Sequence, residues 1–142
     1  MKAIVIYGST TGNTEEVANY VVTGLKESGH EVTLKNVLDA TPKELEDYEI
    51  IALGASTWNE GELQDDFIPF HEQMDGLDLS GKKGAAFGCG EKIYGEHYCT
   101  AVDTLENKLK ELGAEIVAQG FKIDGDIGPY LQKAQEWAKG IN

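Results

Sequence analysis

The stretch from Ala3 to Leu25 leaves few folds open to this chain. Its first run, Ala3-Ile4-Val5-Ile6-Tyr7, is short, β-branched and apolar throughout, the pattern of a strand covered on both faces in a parallel sheet. Further on, Val17, Ala18, Val21, Val22 and Leu25 recur at helical spacing, and Asn13 with Glu16 has the spacing of a helix N-cap and its third-position partner. Between them lies Gly8-Ser9-Thr10-Thr11-Gly12-Asn13-Thr14, which is therefore a strand-to-helix turn. Such a turn aims unpaired backbone N–H groups and the positive end of a helix dipole at one point. Four hydroxyls, on Ser9, Thr10, Thr11 and Thr14, join them, and the combination predicts a phosphate cradle.

The same residues exclude two better-known cradles. A nucleoside triphosphate loop ends in Gly-Lys-Ser/Thr so that a lysine reaches the outer phosphates, and no lysine or arginine occurs between Lys2 and Lys26. The dinucleotide fingerprint G-x-G-x-x-G is absent, since only hydroxyl residues separate Gly8 from Gly12. What remains is a single phosphate held by amides and hydroxyls.

Strand and helix patterns then alternate along the chain. Glu31–Val37 alternates as a strand, and Thr41-Pro42-Lys43-Glu44 is a capping box with proline at the first helical position, opening a short helix through Leu45. Ile50–Ala55 is an apolar run suited to a central strand, and Ser56–Glu62 reads as a loop. Asp65-Asp66 opens a short helix carrying Phe67, Ile68, Phe70 and Met74. Lys82–Phe87 is the fourth strand and Gly88–His97 a second long loop. Ala101, Leu105, Leu109 and Leu112 mark a helix stopped by Gly113. A last strand, Glu115–Ala118 and Phe121–Ile123, is interrupted at Gln119-Gly120, and Ile127–Ala138 is the final helix. Five such alternations imply an α/β domain with a parallel sheet and helices on both faces. At 142 residues the chain suits one domain, 1–142.

The string Ser9-Thr10-Thr11-Gly12-Asn13-Thr14 resembles the phosphate loop of flavodoxins, small proteins that carry electrons on a non-covalently bound FMN. Two further stretches extend the resemblance over essentially the whole chain. They are Ala55-Ser56-Thr57-Trp58 with Glu62–Pro69, and Phe87-Gly88-Cys89-Gly90 through Cys99–Asp103, both similar to short-chain flavodoxins. The resemblance implies a doubly wound five-stranded sheet of order 2-1-3-4-5, with the cofactor where the strand order reverses. The loops after strands one, three and four would then meet at one edge of that sheet.

The resemblance also implies roles. Trp58 covers the inner face of the flavin ring, and Tyr94 stacks on its outer face, unless Tyr98 does so in a loop one residue longer than the family pattern. Ser56 adds a hydroxyl to the phosphate. Main-chain groups of Glu91, His97 and Cys99 meet the pyrimidine edge of the ring and that of Glu60 the carbonyl nearer the first loop. Thr57, Cys89 and Gly90 belong to the matched stretches. Asn59 stands where close relatives place glycine, and His97 where they place an aromatic residue.

Composition bounds the rest. Lys and Arg number 12 against 25 Asp and Glu, a formal net charge of -13 that disfavours nucleic acid and anionic membranes and favours a basic protein partner. Five apolar residues at the N-terminus are too few for a secretory segment, so the protein is expected to be cytoplasmic. Two cysteines, Cys89 and Cys99, are too few for a disulfide scaffold, and with His97 they lack the fourth ligand and tight pairing of a structural zinc site. These readings converge on a monomeric, low-potential electron carrier loaded with FMN and docking basic redox proteins. The alternative is an FMN-dependent oxidoreductase of the same fold, such as a quinone reductase, which needs a substrate cavity and usually a nicotinamide site.

Overall fold

A computed structural model describes residues 1–8, 12–58, 62–63, 65–90 and 99–141, with 57, 58, 62 and 63 described by their strand pairing alone. The apolar run predicted as a buried strand is β1 (Lys2–Gly8), flanked in parallel by β2 (Glu31–Asn36) and β3 (Ile50–Trp58), so that Val5 faces Leu34 on one side and Ala52 on the other. A two-residue strand, β4 (Glu62–Leu63), folds back antiparallel on the end of β3, pairing Trp58 with Glu62 and Thr57 with Leu63. Next to β3 runs β5 (Lys83–Gly90), with Ala52 opposite Ala85. Beside β5 lie β6 (Glu115–Ile116) and β7 (Phe121–Asp124), two parallel pieces of one interrupted strand. Counting those pieces once and setting the β4 hairpin aside, the order is 2-1-3-4-5.

Both faces of the sheet are covered, which is why its central strands are apolar at every position instead of at every second one. Ala3, Val5, Tyr7, Ile50, Ala52, Ala85, Phe87 and Cys89 point to one face, where α1 (Asn13–Glu27) and α4 (Leu131–Lys139) contribute Val17, Val21, Leu25, Ala134 and Ala138. Ile4, Ile6, Ile51, Leu53, Ala55 and Ala86 point to the other, against α2 (Phe67–Gln73) and α3 (Thr100–Glu111) with Phe67, Phe70, Val102, Leu105 and Leu109. Cys89 and Cys99 thus belong to opposite faces, and a bond between them would require the fold to rearrange.

Glycines set how closely these layers approach. A Cβ on Gly24 of α1 would lie 2.1 Å from the carbonyl oxygen of Gln135, so α1 and α4 are in backbone contact there. On β3, Gly54 leaves room for the Phe87 ring, whose own edge packs against Trp137 at 6.2 Å between centroids. Trp137 in turn donates its indole N–H to the carbonyl of Gln119 at 2.8 Å and lies 5.6 Å from Phe121, which ties α4 to the break in the last strand.

Several boundaries differ from the sequence reading, among them the final helix, which begins as a 3-10 turn over Gly128–Tyr130 before α4. The segment expected as a short helix after β2 is two 3-10 turns, Val37–Asp39 and Pro42–Asp47. The capping box holds, with the Thr41 N–H donating to Glu44 Oε2 at 2.7 Å, and the same carboxylate pairs with Lys35. Strand β3 continues past Ala55 to Trp58, and β5 past Phe87 to Gly90, because both extensions find partners that the local sequence does not reveal. At the head of α1, Asn13 is the first helical residue and Gly12 the cap, so Asn13 does not act as the N-cap.

Candidate functional site

Parallel pairing brings the carboxyl ends of β1, β3 and β5 into register, Gly8 against Ala55, Ala55 against Gly88 and Ser56 against Cys89. Every segment predicted to carry the site leaves the sheet at this edge. The first of them turns into α1 through Gly12, whose φ of +90° is a left-handed conformation that most side chains resist. A Cβ built there meets nothing within 4 Å, so backbone conformation and not crowding is what calls for glycine. The first intrahelical bond runs from the Glu16 N–H to the Gly12 carbonyl at 3.1 Å. The first amides of α1 lie ahead of the hydrogen-bonded ladder and point out of the helix end, beside the exposed Asn13.

Thr14, in the first turn of α1, is wholly buried and turns inward. Its Oγ1 shares a hydrogen bond of 2.8 Å with Ser56 Oγ at the end of β3, and donates at 3.8 Å to Cys89 Sγ at the end of β5. One hydroxyl therefore ties together all three elements predicted to meet. Ser56 and Cys89 are each 8% exposed. Burial pushes the Cys89 thiol above its ordinary pKa, only partly offset by the bond from Thr14, and keeps it protonated at neutral pH. Beside this network the Tyr7 hydroxyl donates to Glu15 Oε2 at 2.8 Å. Burial first, and then that carboxylate, raise the Tyr7 pKa, so the phenol is a neutral donor that holds Glu15 in place.

The fourth wall is the start of α3. Cys99 precedes it in a left-handed conformation, φ 50° and ψ 32°, the one such non-glycine residue among those described. It is fully buried, with its thiol donating to the carbonyl of Ile123 at 3.4 Å. Gly90 runs directly beneath, where a Cβ would stand 2.8 Å from the Cys99 nitrogen. Thr100 follows, and its Oγ1 is buried with no hydrogen-bond partner.

The structure thus brings together Gly12, Asn13, Thr14, Ser56, Cys89, Gly90 and Cys99 at one edge, with the backbone of Thr57 and Trp58 continuing β3 into the hairpin. Ser9, Thr10, Thr11, Asn59, Glu60, Glu91, Tyr94, Tyr98 and His97, together with the side chains of Thr57 and Trp58, lie outside the described residues. Two features at this edge have no counterpart in the sequence reading, the Tyr7–Glu15 bond and the Thr100 hydroxyl. Tyr7 read as the last residue of an apolar strand, and a single threonine at a helix start carries no signal of its own.

Comparison with known proteins agrees with this geometry. The flavodoxin family profile matches residues 5–137. The flavodoxin of Maridesulfovibrio salexigens is 44% identical over 143 residues, spanning 99% of this chain and 96% of that protein. That of Nitratidesulfovibrio vulgaris (strain Miyazaki F) is 40% identical over 138 residues, spanning 95% and 93%. The crystal structure of oxidised Flavodoxin 2 from Bacillus cereus superposes with a TM-score of 0.93 at 36% identity, covering 99% of this chain and 97% of that one. With a sheet of this order and a match along nearly its whole length, the chain belongs to the flavodoxin family.

Proposed function

We propose that this protein is a low-potential carrier that moves single electrons between redox proteins on one non-covalently bound FMN. The observation that carries the reading is the carboxyl edge itself, where the start of α1, Thr14 and Ser56 converge within a chain of flavodoxin sequence. Those described groups fit an FMN phosphate. They offer the first-turn amides of α1, set over the buried Thr14–Ser56 pair, and Gly12 leaves open space before them.

In this reading Ser9, Thr10, Thr11, Asn13, Thr14 and Ser56 hold the phosphate, and Trp58 and Tyr94 cover the two ring faces. Main-chain groups of Glu60, Glu91, His97 and Cys99 meet the ring edge. Bound FMN supplies the electron storage, while the chain supplies position, exclusion of water and an electrostatic setting. That setting is negative, since net charge is -13 and Asp65 and Asp66 directly follow the segment after Trp58. Negative charge around the ring disfavours adding electrons to it, which is the physical basis for a low potential. Family membership does not favour the quinone-reductase alternative.

Docking follows from the same charge. The partners in this proposal are basic redox proteins that meet a cytoplasmic monomer transiently at its acidic flavin edge. Among the described residues no helix is long and apolar enough to cross a membrane. Electron transfer from the reduced protein to a basic cytochrome is expected to slow severalfold as ionic strength rises from about 0.01 M to about 1 M, over which the screening length falls from about 30 Å to about 3 Å. Stopped-flow rates that stay flat across that range would contradict the docking mode.

A further inference from the structure

We propose that Asp75-Gly76 is a self-modification site, where the backbone rearranges to an isoaspartyl link, and that the ion pair from Lys108 to Asp75 restrains the reaction. The two residues sit in the exposed turn that leaves α2. Gly76 has φ +91°, and nothing lies within 4 Å of where a Cβ would stand, so no side chain shields its nitrogen. Among the described residues the Gly76 N–H makes no hydrogen bond, whereas the amides on either side, of Asp75 and Leu77, donate to the carbonyls of Glu72 and Met74. A second Asp-Gly pair, Asp124-Gly125 at the end of β7, differs on this point. There the Gly125 N–H donates to the Gly90 carbonyl at 2.8 Å, which ties its nitrogen to the sheet.

The rearrangement needs only Asp75, Gly76 and water. The Gly76 nitrogen loses its proton and bonds to the Asp75 carboxyl carbon, whose hydroxyl leaves with a proton as water, closing an imide ring. Water then adds to the main-chain carbonyl carbon of Asp75 and breaks its bond to that nitrogen, so the chain runs on through the former side chain. One water is released and one consumed, and no electrons are exchanged. A neutral carboxyl gives up its hydroxyl readily, whereas an ionised one has no such leaving group. Lys108, on α3 with its side chain only 10% exposed, places Nζ 2.6 Å from Asp75 Oδ1. Its hydrogen bond first, and then its charge, hold the Asp75 carboxyl below the usual carboxylate range, in the unreactive form. Completed rearrangement moves the free carboxylate to the other branch of the link. Lys108 is then left with Glu111 at 3.7 Å, a poorer partner for a largely buried ammonium.

Full-length protein incubated warm at neutral pH, with isoaspartate at each Asp-Gly pair followed over time by peptide mass spectrometry, tests this. In wild type Asp75 is expected to convert severalfold faster than Asp124. Lys108→Met, which keeps an unbranched stem and removes the charge, is expected to speed conversion at Asp75 severalfold further and to leave Asp124 unchanged. No conversion at Asp75 in wild type, or conversion at Asp124 as fast, would overturn the site. An Asp75 rate unchanged in Lys108→Met would overturn the restraint. So would an equal rise at both pairs, because general unfolding and not the lost ion pair would then account for it.

Discussion

Gly88→Ala is expected to lower the melting temperature by about 6 °C. A Cβ at this position of β5 would fall 2.0 Å from the carbonyl oxygen of Ala55 and 3.0 Å from Val102 Cγ2. The nearer atom is main chain in the neighbouring strand, paired in register with Gly88 itself, so no rotamer change relieves the clash. Overpacking of this kind costs up to about 3 kcal/mol. The gain from restricting the unfolded chain is at most about 1 kcal/mol, so the clash wins. At about 3 °C per kcal/mol for a chain of this size, the midpoint falls by the stated amount. Gly76→Ala is the control, because its φ is +91° but a Cβ there meets nothing within 4 Å, and only the conformational cost of about 1–2 kcal/mol applies. Thermal denaturation that ranks the two variants equally would show that close packing of β3 on β5 does not limit stability.

Trp58→Ala is expected to weaken FMN binding by about 1–3 kcal/mol, or roughly five- to 150-fold, in a titration followed by flavin fluorescence. The backbone of Trp58 closes the β3–β4 hairpin opposite Glu62, at the edge to which Thr14 and Ser56 also belong. A tryptophan at that place has no core-facing alternation to explain it, whereas a flat apolar ring needs an aromatic cover. Tyr94→Ala should cost less, since in this reading it covers the solvent side. Equal FMN affinity in wild type and Trp58→Ala would remove the tryptophan from the site.

Much of the architecture was legible in the sequence for a simple reason. In a sheet covered on both faces each central strand is a short unbroken apolar run, and Ala3–Tyr7 and Ile50–Ala55 could hardly be anything else. The interrupted last strand was visible because Gln119-Gly120 breaks an otherwise continuous pattern, and Gly120 indeed sits where a Cβ would strike Val102 at 2.7 Å. Strand ends were not legible. Ser56 and Cys89 look like loop residues by polarity and neighbours, yet they extend β3 and β5 because they pair with each other and because Cys89 pairs with Ile123 of β7. That information lies in segments far apart along the chain. The hairpin strand β4 is hidden for the same reason, since two residues carry no periodicity.

The site divided along similar lines. Hydroxyl clustering in Ser9–Thr14 pointed to an anion, whereas the fold turns the Thr14 hydroxyl inward, where it bonds Ser56 and Cys89. Geometry supplied what composition does not contain. The buried Thr14–Ser56–Cys89 network, the neutral Tyr7 that fixes Glu15 and the unpaired Thr100 hydroxyl each depend on contacts between elements. Asn13 shows the limit of local rules, because its spacing to Glu16 suits an N-cap, whereas Gly12 adopts the left-handed backbone that starts the helix one residue earlier in role.

Reductive titration of the purified protein reconstituted with FMN, with dithionite as titrant and absorbance as readout, tests the central claim most directly. The account predicts one tightly held FMN per chain that takes up two electrons in two separate one-electron steps, the second at low potential. A chain that retains no FMN, or one whose FMN accepts both electrons in a single unresolved step, would contradict it.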